Sequence, residues 1–145
     1  MHNVPRKLTV DELAELFEGR TRLVEKLAEL DDPLGSAREV ISRLSERDKL
    51  EALNAHPAIG ARTLSARSAA EQGTEDDPDT LDALARLNEE YERRFGFRFV
   101  IFVNRRPKSE IVPVLRERLG RTREEELDTA LGELVAIAED RWRRS

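Results

Sequence analysis

The sequence contains no cysteine among its 145 residues. This absence excludes disulfide bonds, thiolate nucleophiles, cysteine-based zinc sites and iron–sulfur ligation. It agrees with a reducing compartment, and we expect a cytoplasmic protein.

Long hydrophobic runs are also missing. No apolar stretch approaches the roughly 20 residues that a membrane span requires. The first ten residues, MHNVPRKLTV, lack the apolar core of a signal peptide. The sequence therefore predicts no membrane association.

Excess positive charge is absent as well. Lys and Arg number 25 and Asp and Glu number 30, which gives a net charge of −5. A chain of this sign is not a general nucleic-acid binder by bulk charge. Acids concentrate in residues 71–90 and bases in residues 91–121. This asymmetry fits solvated helix faces, and alternatively a positive pocket for an anionic small molecule.

Cofactor and metal motifs are missing too. We find no P-loop, no G-x-G-x-x-G and no H-x-x-x-H pair. Only two histidines are available as ligands. We therefore expect no metal and no cofactor, and a cofactor-free reaction is favoured if the protein is an enzyme.

What the chain does contain favours helix, because Leu, Ala, Glu and Arg dominate. We predict an all-α, single-domain helical bundle over residues 10–145, after a flexible N-terminal tail of residues 1–9. Thr9-x-x-Glu12 is a capping box that predicts a helix from about Val10 to Glu18, ended by Gly19.

Further helix boundaries follow from the same chemistry. Leucines at helical spacing predict a second helix that stops before Pro33. Helix starts are predicted at Ser36-x-x-Glu39, Asp77-Pro78 and Thr122-x-x-Glu125. The third helix has a break near Ser45, and Pro113 interrupts or begins a helix that ends near Gly120.

One segment resembles a strand. Residues 95–103, FGFRFVIFV, have high β propensity. No second β-rich run exists to pair with them. We therefore predict an extended segment, buried between helices, near residues 97–103.

His56 is the histidine best placed for chemistry. Pro57 disfavours helical geometry at His56, and Gly60 permits a tight turn just beyond it. An imidazole held on irregular backbone at a helix end can exchange a proton near neutral pH. The alternative is a capping or surface histidine.

Two other groups could bind a ligand. Ser68, Glu71 and Gln72 would share one face of a helical turn, although Ser68-x-x-Glu71 also fits a capping box. Arg141 lies near the end of the last predicted helix, close to its apolar stripe, and could clamp a carboxylate or planar imide. Alternatively, Arg141 extends toward solvent or stabilises a helix C-terminus.

Four motifs in a fixed order resemble one known family. They are HPAIG (56–60), SAAEQ (68–72), NEEYERRFGFRFV (88–100) and ALGELVAIAEDR (130–141). Together they resemble the 2-oxo-4-hydroxy-4-carboxy-5-ureidoimidazoline (OHCU) decarboxylases of purine breakdown. Many members carry proline where this chain has Arg98.

The resemblance implies an all-helical homodimer that decarboxylates an anionic ureidoimidazoline, OHCU, to (S)-allantoin in urate degradation, without a cofactor. It implies catalytic roles for His56 and Glu71. The substrate contacts that it implies are Pro57, Ser68, Glu71, Gln72, Phe99, Val100, Ile101, Phe102, Val103 and Arg141.

Two alternatives stay open at the level of sequence. A decarboxylase or lyase of a related ureide could use the same scaffold, since Arg98 alters one motif. A non-enzymatic helical interaction module is the second alternative, supported by the charge-rich surface and the basic run from Arg105 to Lys108.

Overall fold

The structure is a computed structural model that describes residues 7–57 and 77–144. Within these ranges it contains seven α-helices and no β-strand. The helices are α1 (Val10–Phe17), α2 (Arg22–Leu27), α3 (Pro33–Ser42), α4 (Glu46–Asn54), α5 (Pro78–Phe95), α6 (Lys108–Leu119) and α7 (Arg123–Arg144). The predicted all-α class is confirmed.

Three of the predicted helix starts are confirmed with their capping geometry. Thr9 and Glu12 form a reciprocal capping box at α1. The Asp77 side chain accepts from the Thr80 backbone N–H at 3.1 Å, with Pro78 in the first turn of α5. Thr122 and Glu125 bond each other's backbone N–H groups at the start of α7. In each case short-range polar chemistry satisfies N–H groups that have no partner within the helix.

The predicted start of α3 at Ser36 is wrong. Asp32 caps this helix by accepting from Gly35 N–H at 3.2 Å, and Pro33 occupies the first turn. An aspartate followed by proline is an earlier and complete start signal, so Ser36 falls inside the helix. The predicted break near Ser45 is confirmed, because Ser45 caps α4.

One predicted helix end and the predicted effect of Pro113 differ from the structure. α1 ends at Phe17, and Glu18, rather than Gly19, adopts the left-handed conformation at φ 64°. Pro113 lies inside α6, neither interrupting nor beginning it, and the helix ends before Gly120 as predicted. Proline removes one backbone donor from α6, and the turns on either side continue the helix.

The extended segment is confirmed. Residues 98–103 have no regular secondary structure, and most of their side chains are buried. The segment follows α5, whose end is set by Gly96 at φ 81°.

The chain divides into two compact units. The first takes in the chain up to His56 and again from Leu131 onward, and the second runs from Pro57 to Ala130. In the first unit, α2 packs against α1, α3 and α4, and in the second α5 packs against α6. The predicted domain boundaries, 1–9 and 10–145, stay predictions.

Each unit has its own apolar core. In the first unit the fully buried side chains include Leu13, Leu23, Val24, Leu27, Leu53, Leu134, Val135 and Ala138. In the second unit they include Leu84, Tyr91, Phe97, Phe99, Ile111 and Leu115. None of the helices in the described ranges is long and apolar enough to cross a membrane.

Candidate active site

His56 lies directly after α4, in the first unit. The backbone N–H of Ala55 donates to Glu51 O, and that of His56 donates to Leu53 O at 3.2 Å. These bonds close the helix and fix the backbone from which the imidazole projects. Only 7% of His56 is exposed, so it is not a surface histidine. Pro57, next in the chain, is partly buried.

Three of the predicted site residues cannot be compared with the structure. Ser68, Glu71 and Gln72 lie outside the described residues, between 57 and 77. Their roles stay predictions. In the part of the chain that the structure describes, no three His, Asp or Glu side chains come together as a metal site.

Arg141 is buried near the end of α7, in the same unit as His56. Only 2% of it is exposed, which excludes a solvent-facing side chain. Its Nη1 donates to the carbonyl oxygen of Leu16 at 3.1 Å, and its Nη2 lies 3.1 Å from Oε1 of Glu18. The Leu16 carbonyl belongs to the last turn of α1, where carbonyls lack helical partners, so Arg141 satisfies the end of that helix.

Glu18 makes this contact from an unfavourable backbone conformation. Its φ of 64° and ψ of 28° are left-handed, which costs a non-glycine residue about 1 kcal/mol. Its carboxylate is largely buried, with 15% of the side chain exposed. A strained residue therefore supplies the counter-charge of a buried arginine.

Residues 16–19, which we call the α1 turn, also contact Ala55, the residue before His56. A Cβ atom at Gly19 would lie 3.2 Å from Cβ of Ala55, closer than most real contacts of this kind. Glycine thus permits the backbone of the α1 turn to pack against the residue that precedes His56. The same turn contacts Arg141, so one short element contacts both Arg141 and the end of α4.

The predicted apolar wall, residues 99–103, lies in the second unit. Phe99, Val100, Ile101 and Val103 are buried, and Phe102 is partly exposed. Arg106 closes the end of the wall by donating from Nε to Val103 O at 2.9 Å and from Nη2 to Phe102 O at 2.8 Å.

Arg118 contacts two residues of the wall. Its Nη1 donates to the carbonyl oxygen of Val100 at 2.9 Å, and its guanidinium lies 4.6 Å from the ring centroid of Phe99. The Phe99 ring also meets the Tyr91 ring edge-on at 5.2 Å. One arginine therefore orients both the backbone and an aromatic ring of the wall.

Arg118 belongs to a buried polar network that the sequence patterns did not predict. Oε1 of Glu126, a fully buried residue, accepts from the Tyr91 hydroxyl at 2.6 Å and from Arg118 Nε at 2.7 Å. Its Oε2 accepts from Arg121 Nη1 at 3.0 Å. Burial and the bond to Glu126 raise the pKa of Tyr91 well above its ordinary value. The phenol therefore stays neutral and acts as a donor.

A signal for this network was present in the sequence. Arg118 follows Ile111 and Leu115 at helical spacing, and Glu126 stands four residues before Ala130 on the buried stripe of α7. Charged residues at stripe positions predict a buried ion pair. Which cation meets which anion depends on tertiary packing.

Arg98, the departure from the family motif, lies at the start of the wall. Its side chain is 30% exposed, and its Nε is 3.7 Å from Oε1 of Glu92 in α5. The arginine is thus engaged with the helix that precedes it in the chain.

Comparisons with known proteins point in one direction. A family model described as OHCU decarboxylase matches residues 2–143. The 2-oxo-4-hydroxy-4-carboxy-5-ureidoimidazoline decarboxylase of Haloferax volcanii is 31% identical, across 90% of this chain and 84% of the relative. The uric acid degradation bifunctional protein of Bacillus subtilis is 29% identical, across 95% of this chain and 30% of that longer protein.

Solved structures agree with the sequence comparisons. The crystal structure of an OHCU decarboxylase in the presence of (S)-allantoin is similar with a TM-score of 0.77. The match is 25% identical and covers 92% of this chain and 96% of that chain.

Proposed function

The chain belongs to the OHCU decarboxylase family, and from this premise we propose that it converts 2-oxo-4-hydroxy-4-carboxy-5-ureidoimidazoline to (S)-allantoin and CO2 without a cofactor. The observation that carries the proposal is the family match over residues 2–143. The solved relative, with (S)-allantoin present, supports a small-molecule ligand of the ureide class. The family match favours an enzyme over an interaction module.

The substrate's own structure makes cofactor-free chemistry feasible. Breaking the bond between C4 and its carboxylate leaves an electron pair, which the adjacent imine accepts as its nitrogen takes a proton. The resulting enol then loses its hydroxyl proton, becomes a carbonyl and gains a proton at the neighbouring carbon. The protein must orient the substrate, exclude water and direct that last proton to one face.

We assign the proton transfer to His56. An imidazole titrates near neutral pH, and this one projects from hydrogen-bonded backbone in a buried setting. Delivery from a fixed ring to one face of a planar intermediate accounts for a single product enantiomer. Glu71 orients the ring or stabilises its charged form.

The remaining residues bind and enclose the substrate in this proposal. Arg141 clamps the anion, because a buried guanidinium presents several donors in one plane. Gln72, Ser68 and Pro57 contribute further contacts. The wall of residues 99–103 supplies a dry apolar surface, consistent with the burial of four of its five side chains. We further propose that the protein is a cytoplasmic homodimer.

A coupled assay tests the proposal. Urate oxidase and hydroxyisourate hydrolase generate the short-lived substrate, and circular dichroism follows the formation of (S)-allantoin. We expect the wild type to accelerate formation of this enantiomer alone. His56→Asn should lower the rate by about 10²-fold or more, as loss of a general acid–base does.

The other histidine provides a matched control. His2→Asn removes an imidazole from a residue outside the proposed machinery and should leave turnover unchanged. Full activity of a folded His56→Asn variant would reject the role of His56. Turnover of hydroxyisourate or allantoin in place of OHCU would favour the related-ureide alternative raised by Arg98.

A further inference from the structure

Glu18 takes no part in the proposed chemistry, yet it occupies a costly position. We propose that Glu18 is a positioning residue that holds Arg141 in the orientation needed to bind the substrate anion. This inference rests on the proposed function, because it requires Arg141 to contact substrate. Glu18 itself touches Arg141 and is not assigned a contact with the reacting atoms.

The backbone argument begins with the left-handed conformation at residue 18. Its φ of 64° favours glycine or asparagine. The left-handed conformation does not stabilise a glutamate at residue 18. What its side chain adds is a carboxylate 3.1 Å from Nη2 of Arg141, and that contact offsets the backbone cost.

The contact also determines the plane of the guanidinium. Nη1 is bound to the Leu16 carbonyl and Nη2 to Glu18, so two nitrogen atoms of one planar group have separate partners. A buried arginine needs such partners to offset its desolvation. With the plane of the guanidinium set, a carboxylate or imide that binds Arg141 meets it in one orientation.

The α1 turn links this contact to the catalytic histidine. Gly19, the residue after Glu18, packs against Ala55, the residue before His56. The turn that carries the counter-charge of Arg141 is therefore packed against the end of α4. A rigid α1 turn would hold the anion clamp and the proton donor in a constant relation.

Three variants separate positioning from general stabilisation. Glu18→Gly relieves the left-handed backbone and removes the carboxylate, so we expect a melting temperature within about 3 °C of wild type. Its KM for OHCU should rise about tenfold with a smaller change in kcat, because Arg141 has lost the carboxylate that orients it.

Glu18→Gln, which keeps a side-chain oxygen at the same distance from the backbone, should raise KM only about threefold. As the control, Glu39→Gln removes an exposed carboxylate that also pairs with an arginine, Arg43, and should leave KM unchanged.

A fourth variant tests whether Glu18 acts through Arg141. Arg141→Met keeps an unbranched apolar stem and removes the guanidinium and its charge. Adding Glu18→Gly to Arg141→Met should cause no further loss of kcat/KM, since the two residues act as one unit. If Arg141→Met does not fold, the KM values of the Gly and Gln variants at residue 18 still test whether Glu18 is a positioning residue.

The possible outcomes are distinguishable. Activity that falls in the order wild type, Gln, Gly supports positioning. The Gly variant has the least backbone strain, so an effect on stability alone would not make it the least active. Wild-type KM in both Glu18 variants, or additive losses in the double variant, would overturn the inference while leaving the proposed function intact. A wild type without turnover of OHCU would overturn the proposed function and this inference with it.

Discussion

At the scale of single residues, the buried carboxylate of Glu126 shows how this chain offsets the cost of an interior charge. Burying an isolated carboxylate is expensive, and removing one partner of a buried pair leaves the other charge uncompensated. Three donors, from Tyr91, Arg118 and Arg121, meet the two oxygens of Glu126. The network therefore supports both the second unit and the wall of residues 99–103.

Truncating this carboxylate should be costly. Glu126→Ala leaves the largely buried Arg118 guanidinium and the Tyr91 hydroxyl without their acceptor, so we expect a loss of about 3 kcal/mol or more in the free energy of unfolding. Glu124→Ala, on the exposed side of the same turn, should cost less than about 0.5 kcal/mol. Urea titration measures both. Equal stabilities of the two variants would contradict the assigned role of the network.

The raised pKa of Tyr91 predicts a loss of stability in alkali. Burial and the bond to Glu126 favour the neutral phenol in the folded state, whereas an unfolded tyrosine loses its proton near pH 10. The stabilisation is fully present below about pH 10 and falls above it by up to about 1.4 kcal/mol per pH unit.

Tyr91→Phe isolates this effect. At pH 7 the variant should be less stable by about 2 kcal/mol, the contribution of a hydrogen bond to a charged acceptor. Above pH 10 the gap to wild type should narrow, because phenylalanine does not titrate. Urea unfolding at pH 7, 9 and 10.5 measures the gap. A difference that does not change with pH would show that Tyr91 titrates normally.

At the scale of elements, the chain specifies where helices begin more clearly than where they end. The starts at Thr9, Asp77 and Thr122 were predictable because a cap and its partner lie within three residues of each other. Helix ends depend more on contacts between residues that are far apart in the chain. The sequence predicts Gly19 as the residue that ends α1, but the left-handed residue at this end is Glu18. The missing side chain of Gly19 instead permits the contact with Ala55.

Two glycines should respond to the same substitution with opposite sign. Gly132 lies inside α7, and among described residues no atom lies within 4 Å of the position a Cβ would take. Gly132→Ala should therefore stabilise the protein by about 0.5–1 kcal/mol through reduced backbone entropy in the unfolded state. Gly96 ends α5 at φ 81°, so Gly96→Ala should destabilise by about 1 kcal/mol.

Thermal unfolding of the two variants checks both signs. Gly132→Ala should melt above wild type and Gly96→Ala below it. A stabilising Gly96→Ala would mean that the end of α5 does not need a left-handed residue.

At the scale of the whole molecule, one helix belongs to both compact units. α7 begins in the second unit and, from Leu131, continues in the first. The charged partners that it contributes are correspondingly divided: Glu126 belongs to the network of the second unit, and Arg141 to the α1 turn of the first. The spacing of its apolar stripe predicted the helix but not this division.

The proposed homodimer is testable at the same scale. Light scattering coupled to gel filtration should give twice the chain mass of 16.6 kDa, about 33 kDa. The mass should persist on dilution through the concentrations used for the activity assay. A species of 16.6 kDa that carries full activity would reject the homodimer.

By itself, the sequence determined the helical class, the helix starts at Thr9, Asp77 and Thr122, the extended segment and the family motifs. These depend on local capping chemistry, on periodicity and on residue type, which act over a few residues. The tertiary structure alone decided that Arg141 is buried against the α1 turn and that Glu126 is shared by three donors. Arg141 and Leu16 are 125 residues apart in the chain. No local sequence pattern identifies partners at such a separation, because helix packing determines which polar groups are buried next to each other.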